Sequence, residues 1–402
     1  MLLNIEPAVF DEERSCYHTE DLVVVTETGY CLLTLGLAPR RSRKSAIRHC
    51  DNDDGWPVTG LSRFKGRTTM KLITRWQFVA GVVLVAAGAL APAPVFAQTS
   101  LRLAHHHAVG GMVDQTANKF AELVAQKSGG ALVVKVFPAA QLGQEPEAYG
   151  LVNSGAVDLS ITSTGHVGKM YPPIHILSLP FVFRDWDHAY NAFDGAFGAA
   201  LTEGIKGHTN TQALGITFLG FRDMWFRGEP IVDASAMKGK KMRSPEDPIY
   251  MRMFELLGAR PTPVTWGEVY AAMQTGVAEG LESPAMVGLD MKFNEVMKSV
   301  VRTRHMFAIM GIIASKARTG RLSKDQQEIL GAAGREAAAW ANKTISQPGE
   351  EDAYKRMAAL GLKVVWPSNP SAWSVAMQPL WQETTSRIAG SDALLKLLVN
   401  TK

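Results

Sequence analysis

The sequence predicts an α/β protein of two lobes, built on mainly parallel sheet flanked by helices. Three observations predict it. Strand-length apolar runs alternate with segments of 3.6-residue periodicity from about residue 101 to 366. The tract that carries this alternation, 98–402, is 305 residues long, which gives ample core and normally divides into two lobes. A single helix–glycine–strand plan also occurs twice, as LVNSGAVDLSIT (151–162) and AMQTGVAEGLES (272–283). Chance is the competing explanation of that echo, because helix–glycine–strand turns are common.

The elements follow in order. Leu101–Ala104 is a short apolar strand. Met112–Lys127 is a helix, with Val113, Ala117, Phe120, Ala121 and Val124 on one face and Ser128-Gly-Gly130 ending it. Leu132–Phe137 is β-branched and reads as a strand. Pro146–Asn153 is helical and stops at Gly155, a residue suited to a left-handed C-cap. Asp158–Thr162 is the next strand. Helices at Trp186–Phe193 and Phe197–Lys206 precede a strand at Ala213–Gly220. A short strand, Lys240–Arg243, is closed by Pro245. Helices at Pro248–Leu257 and Trp266–Thr275 end at Gly258 and Gly276. Ser323 with Gln326 forms a capping box for a long helix bearing Ile329, Leu330, Ala333, Ala337, Trp340 and Ala341 on one face. A helix around Glu350–Leu360 leads into a strand at Leu362–Trp366.

Composition narrows the class. Hydrophobic residues make up 46% and charged residues 20%, which excludes wholesale disorder and collagen-like repeats. Mean hydropathy is near zero, against a polytopic membrane protein. A net charge of +4 is too weak to imply a nucleic-acid partner. All three cysteines, Cys16, Cys31 and Cys50, fall in the first 50 residues. The tract 98–402 has none, so disulfides, thiol catalysis and Cys-ligated metals are excluded there.

Residues 70–97, MKLITRWQFVAGVVLVAAGALAPAPVFA, read as a cleavable signal peptide. Lys71 and Arg75 form a basic region, Phe78–Ala91 an apolar run, and Val95 and Ala97 sit at −3 and −1 before Gln98. The alternative is a membrane anchor, but the run is short against the roughly 20 residues that span a bilayer. The segment before Met70 shows no clear period and carries RRSRK (40–44) and DNDD (51–54). It reads as an extension upstream of the native start, with Met70 the initiator; a genuine cytosolic extension is the alternative. Mature protein is thus expected from 98 onward.

Catalytic signatures are missing: there is no G-x-S-x-G, H-E-x-x-H, Walker A or G-x-G-x-x-G pattern. His105-His106-His107 invites a metal reading. Adjacent strand residues point to opposite faces, though, so the better expectation is cleft lining, with His105 able to touch a ligand. Arg222, in GFRDMWFRGEPI (220–231), and Arg243, in MKGKKMRSP (237–245), both follow or end strands. A guanidinium there offers a planar fork that matches a carboxylate. For each arginine taken alone, a surface position or structural ion pair is the competing explanation. If the echo is real, Thr162 and Ser283 stand at matching strand ends beside a cleft, where ligands of open α/β sheets bind. Glu279 and Glu282 tempt a general-acid reading; structural pairing is the plainer one.

These stretches resemble a known family. MKGKKMRSP, LGARPTPVTWGEVYAAMQTGVAEGLESP (257–284) and the run ending at His305 are similar to the substrate-binding subunits of tripartite ATP-independent periplasmic (TRAP) transporters, the DctP-type family. LSLPFVFRDWDHAYNAFDG (177–195) and FPAAQLGQEPEA (137–148) fit as well, so the resemblance covers nearly all of 100–385. It implies a hinged, two-lobed periplasmic binding protein with a long C-terminal helix across both lobes. Lobe I is then 98–220 plus about 308–347, lobe II 221–307 plus about 348–385, and 386–402 a C-terminal tail.

The resemblance implies that Arg243 is the carboxylate clamp and Arg222 a second basic contact, with Arg227 a weaker candidate. Trp266 would pack on the apolar part of a ligand. Ser283, Thr162 and His105 would add polar contacts. Ser283 stands where the family often has Asn, and Gly280-Leu281 where it often has Gly-Gln. The implied function is capture of a small organic anion in the periplasm and delivery to TRAP membrane permease subunits. The protein is expected to be a monomer that is not an enzyme and uses no cofactor or metal. An exported enzyme acting on a small carboxylate, or a periplasmic ligand sensor, are the alternatives.

Overall fold

The computed structural model describes residues 98–402, together with the backbone of three strands near the N-terminus. Those three, β1 (Leu2–Ile5), β2 (Asp21–Thr26) and β3 (Gly29–Thr34), form an antiparallel sheet that the aperiodic sequence of 1–69 did not suggest. The signal segment 70–97 and the charged runs at 40–44 and 51–54 lie outside the described residues. Among the described residues no helix is long and apolar enough to cross a membrane.

Residues 98–402 build one nine-stranded mixed sheet with helices on both faces. In chain order its first flank comprises β4 (Thr99–Ala104), helix α1 (Met112–Lys127), β5 (Leu132–Phe137), α2 (Glu145–Ser154), β6 (Leu159–Ser163) and α3 (Thr164–Gly168). Helices α4 (Trp186–Asp194) and α5 (Ala196–His208) follow, and then β7 (Thr211–Phe226). The second flank comprises β8 (Lys241–Ser244), α6 (Pro248–Leu256), β9 (Arg260–Pro263), α7 (Val269–Thr275), β10 (Gly280–Pro284) and α8 (Ala285–Asp290). The strand β11 (Ser299–Ser315) precedes α9 (Lys324–Ala341), α10 (Gln347–Ala359) and β12 (Lys363–Val365). Three more helices end the chain: α11 (Pro370–Met377), α12 (Pro379–Arg387) and α13 (Ser391–Val399).

Strand order is β5-β4-β6-β11-β7-β10-β8-β9, with β12 beside β11. Pairing is parallel within each flank, as helix-separated strands require. It turns antiparallel where β7 and β11 meet each other and the flanks. These two strands, 16 and 17 residues long, run from one flank into the other. The sequence suggested only the first half of β7 and did not mark β11 as a strand. Both bend where they pass the middle of the sheet: Gly220 has φ +96° and Arg304 φ +47°, each beside a break in register.

Local signals are where the sequence places them. Ser323 and Gln326 close a reciprocal capping box on α9. Asp247 accepts from the Ile249 N–H at 2.8 Å, with Pro248 in the first turn of α6. Gly155 and Gly276, the two glycines of the sequence echo, both cap helices in the left-handed conformation at φ +80° and +82°. Helix runs without interruption from Lys324 to Ala359 through a π turn at Asn342–Ser346, which bends it between the two flanks. Its first part packs on β7 and α1, its second on α8 and β12. The segment 386–402, expected as a tail, carries α13, which buries Leu394, Leu395 and Leu398.

Candidate functional site

The two flanks face each other across a cavity of about 180 Å³. Its walls come from the carboxyl ends of parallel strands on both sides, where open α/β sheets present their ligand sites. His106 and His107 follow β4, Ser163 ends β6, and α2 brings Gln144 and Glu145. Opposite them, Arg243 and Asp247 lie at the end of β8, and Val264 and Trp266 follow β9. Arg222 of β7 and Phe307–Met310 of β11 form the floor.

The two arginines are chemically unlike. Arg222 is spent on an internal partner: its Nε and Nη2 engage both carboxylate oxygens of Glu282, and Nη2 also donates to the Glu282 carbonyl at 3.1 Å. Glu282 is completely buried. Burial alone would lower the Arg222 pKa, but the Glu282 carboxylate outweighs it and drives the pKa up. Arg243 is also buried, at 3% exposed, yet donates only to a carbonyl, Val264 O, at 3.1 and 2.8 Å. Among the described residues no carboxylate oxygen lies within ion-pair distance of it. Burial pushes its pKa down to about 10, against the pull of the Glu282 carboxylate and with Arg222 acting in the same direction as burial. It therefore remains charged at neutral pH, next to the cavity. Its guanidinium lies 5.5 Å from the Trp266 ring centre.

The opposite wall is an acceptor. Glu145 occupies the first turn of α2, where the helix dipole favours a carboxylate. One oxygen accepts from the Ser163 N–H and from Thr162 Oγ1 at 3.1 Å. The other faces His106 Nε2 at 3.5 Å and His166 Nε2 at 3.4 Å. Burial would raise the Glu145 pKa, but the two imidazoles and the Ser163 N–H together hold it well below the usual carboxylate range. Burial would likewise lower His166, but its hydrogen bond with Glu145 wins and raises it. For His106 and His107 burial prevails and lowers the pKa.

The walls touch on either side of the cavity. The Met112 N–H at the start of α1 donates to Asp290 of α8 at 3.0 Å, so a carboxylate from one wall caps a helix of the other. His107 and Trp266 rings are 5.6 Å apart. This is a closed arrangement.

Of the six residues singled out from sequence, three meet at the cavity: Arg243, Arg222 and Trp266. The other three are placed elsewhere. His105 is buried with its Nε2 3.0 Å from Asp114, because alternation along the strand end turns it away from His106. Thr162 donates to Glu145 and borders a small apolar cavity behind the main one. Ser283 is wholly buried and donates to its neighbour's carbonyl, Pro284 O, at 3.3 Å. Arg227 is exposed and donates to Gln274 O at 3.4 Å. Sequence reasoning read His105–His107 as cleft lining but chose His105 over His106 and His107, and it missed Glu145, His166, Tyr250 and Asp247. The stretch FPAAQLGQEPEA was read only as a fit to a family, although an acidic residue in a helix's first turn after a strand is a legible signal. The echo did extend into structure at Gly155 and Gly276, but the strand-end hydroxyls beyond them do not face the cavity.

Comparison with known proteins gives these features a context. The family described as bacterial extracellular solute-binding protein, family 7 (DctP) matches residues 103–387. A solute-binding protein of Sulfitobacter sp. is 30% identical over 79% of this chain and 96% of that protein. The sialic acid-binding periplasmic protein SiaP of Vibrio cholerae is 28% identical over 76% of this chain and 94% of its own length. A TRAP periplasmic solute-binding protein crystal structure from Sulfitobacter sp., with bound β-D-galacturonate, superposes with TM-score 0.72 at 28% identity, covering 75% of this chain and all of that one. Another, from Sulfurospirillum deleyianum with bound succinate, gives TM-score 0.71 at 26% identity, covering 76% of this chain and all of that one. The family comprises solute-binding proteins of transporters rather than enzymes, so the enzymatic alternative falls away. With a matched region spanning both flanks of the sheet and the whole cavity, the chain belongs to the DctP family of TRAP periplasmic solute-binding proteins.

Proposed function

We propose that this chain captures a small organic acid in the periplasm, clamps its carboxylate with Arg243 and delivers it to TRAP membrane permease subunits. One observation carries the clamp: Arg243 is a buried, charged guanidinium at the cavity whose hydrogen-bond partner is a single carbonyl. A buried cation without a counter-ion is costly, and a ligand carboxylate supplies one. Relatives support the ligand class, since family members have been crystallised with galacturonate, glucuronate, erythronate and succinate. Trp266 closes on the rest of the ligand from the same wall, next to Arg243. Arg222 contributes its field from the floor while held by Glu282. Thr162 acts through Glu145, and Ser283 and His105 support the backbone around the site. Binding drives the flanks into the closed arrangement in proportion to the ligand's preference for it. Calorimetry over organic acids tests this: an acid is expected to bind to the wild-type protein and to lose most of its affinity to Arg243→Ala. Undiminished binding by that variant refutes the clamp.

A further inference from the structure

The cavity is polar at both walls but with opposite character, and that asymmetry bears on which acid fits. Arg243 presents on the second flank a positive charge that, among the described residues, no carboxylate pairs directly. Across from it, Glu145 is held ionised by two imidazoles and a backbone N–H. Three further polar atoms at the cavity are buried and without hydrogen-bond partners among the described residues: His106 Nδ1, Trp266 Nε1 and Asp247 Oδ2, the last 3.7 Å from His175 Nδ1 and so too far for a hydrogen bond with it. Leaving such atoms buried and unpaired is costly, so a well-matched ligand must reach them.

Resting on the reading of Arg243 as the clamp, we infer that the site takes a polyhydroxylated monocarboxylate and rejects dicarboxylates, with Glu145 and His166 as the residues that discriminate. A hydroxyl both donates and accepts, and the orphaned atoms need both. The Trp266 N–H requires an acceptor, and Asp247 Oδ2 requires a donor. His106 Nε2 faces Glu145, which favours the proton there and leaves Nδ1 as a lone pair seeking a donor. A second carboxylate against this wall meets the Glu145 charge and has no proton to give. An ammonium group has no lone pair for the Trp266 N–H. An unsubstituted alkyl chain satisfies none of the three.

A series matched in carbon number isolates the two features. Calorimetry is run on the full mature protein with a panel of hexonates and hexuronates, with adipate, with hexanoate and with D-glucitol. At least one hydroxylated monocarboxylate is expected to bind ten-fold or more tightly than adipate and hexanoate, with D-glucitol not binding. Glu145→Gln keeps the side-chain shape and removes the charge. It is expected to weaken the best hydroxy acid by ten-fold or more while leaving adipate unchanged or tighter. If Glu145→Gln fails to fold by circular dichroism, His166→Gln takes its place and is expected to weaken the best hydroxy acid by ten-fold or more with adipate binding no tighter. Adipate or hexanoate binding as well as every hydroxy acid overturns the inference, as does unchanged selectivity in the folded variant. Arg243→Ala separates the two readings: if it binds the acids as the wild type does, the clamp itself is wrong; if it abolishes all of them, only the selectivity is at issue.

Discussion

Two arginines lie within the same cavity, and their partners assign them different work. Arg222 holds Glu282 through a bidentate pair and the backbone. Removing it strands a buried carboxylate, so Arg222→Ala is expected to cost about 3–5 kcal/mol of stability, seen as a large drop in melting temperature. Arg243 meets only a carbonyl, so Arg243→Ala is expected to leave the melting temperature of the unliganded protein close to wild type. Its loss of one charge-assisted bidentate contact should weaken ligand binding by about ten-fold to 150-fold, from about 1.5–3 kcal/mol. Arg243→Lys should bind poorly too, since a point charge lacks the planar fork. Equal melting losses in Arg222→Ala and Arg243→Ala would contradict this division. Both arginines were visible in the sequence; which one is spent internally was not, because Glu282 reaches Arg222 through antiparallel pairing of β10 with β7 across 60 residues.

Between elements, two close approaches carry testable weight. Asp290 of α8 supplies the N-cap that α1 lacks from its own chain neighbours, and Gly111 admits it: a Cβ there would stand 2.8 Å from Asp290 Oδ2. Asp290→Ala is expected to cost about 0.5–2 kcal/mol, as the loss of a cap does, read by chemical denaturation of the liganded, closed protein. The second approach sets Gly334 of α9 against Leu214 and Gly215 of β7, with the Gly334 carbonyl lying where a Cβ on Gly215 would be. Gly334 of α9 packs on β7 so closely that a Cβ would stand 2.6 Å from Leu214 Cβ and 2.7 Å from its carbonyl oxygen. Gly334→Ala is expected to destabilise by about 1–3 kcal/mol through overpacking, with ligand selectivity unchanged. The helix itself is written in its apolar face and capping box. That its middle must be glycine is decided by how near β7 runs.

At the scale of the whole molecule, the long strands, the bent helix and a buried polar network meet in one place. Asp223 of β7 accepts from the Arg304 N–H at 2.9 Å and from the Tyr354 hydroxyl, close to Glu350, which accepts from Trp186, Arg304 and the Phe221 N–H. Burial pushes the Asp223 pKa up to about 7, against the opposing pull of Tyr354 and the Arg304 N–H. The ordinary Asp value is 3.8, so between about pH 4 and 7 the folded state binds a proton there that the unfolded chain releases. This group's contribution to stability therefore falls as pH rises through that window. Asp223→Asn is expected to flatten the decline between pH 4 and 7 in chemical denaturation; an unaltered slope would show that Asp223 does not titrate there. Ligand capture should act on the same global equilibrium, raising the melting temperature with ligand concentration. N-terminal sequencing of exported protein is expected to begin at Gln98.

The sequence by itself determined the α/β class, most helices and short strands, the capping signals and the presence of two candidate arginines. These are local: a period, a cap or a stop needs only neighbouring residues to act. The tertiary structure decided the rest. β11 was illegible as a strand because polar Arg302–His305 interrupts its first half, while the second half, packed between β6 and β7, is apolar on both faces and carries no alternation. Likewise Glu145 and His166 look unremarkable along the chain, and nothing there selects His106 from the histidines on either side of it. The three become one acceptor wall only when β4, α2 and β6 bring residues 106, 145 and 166 together. A site assembled from the ends of several strands is a property of how those strands are ordered in the sheet, and that order is set by long-range pairing no short window of sequence contains.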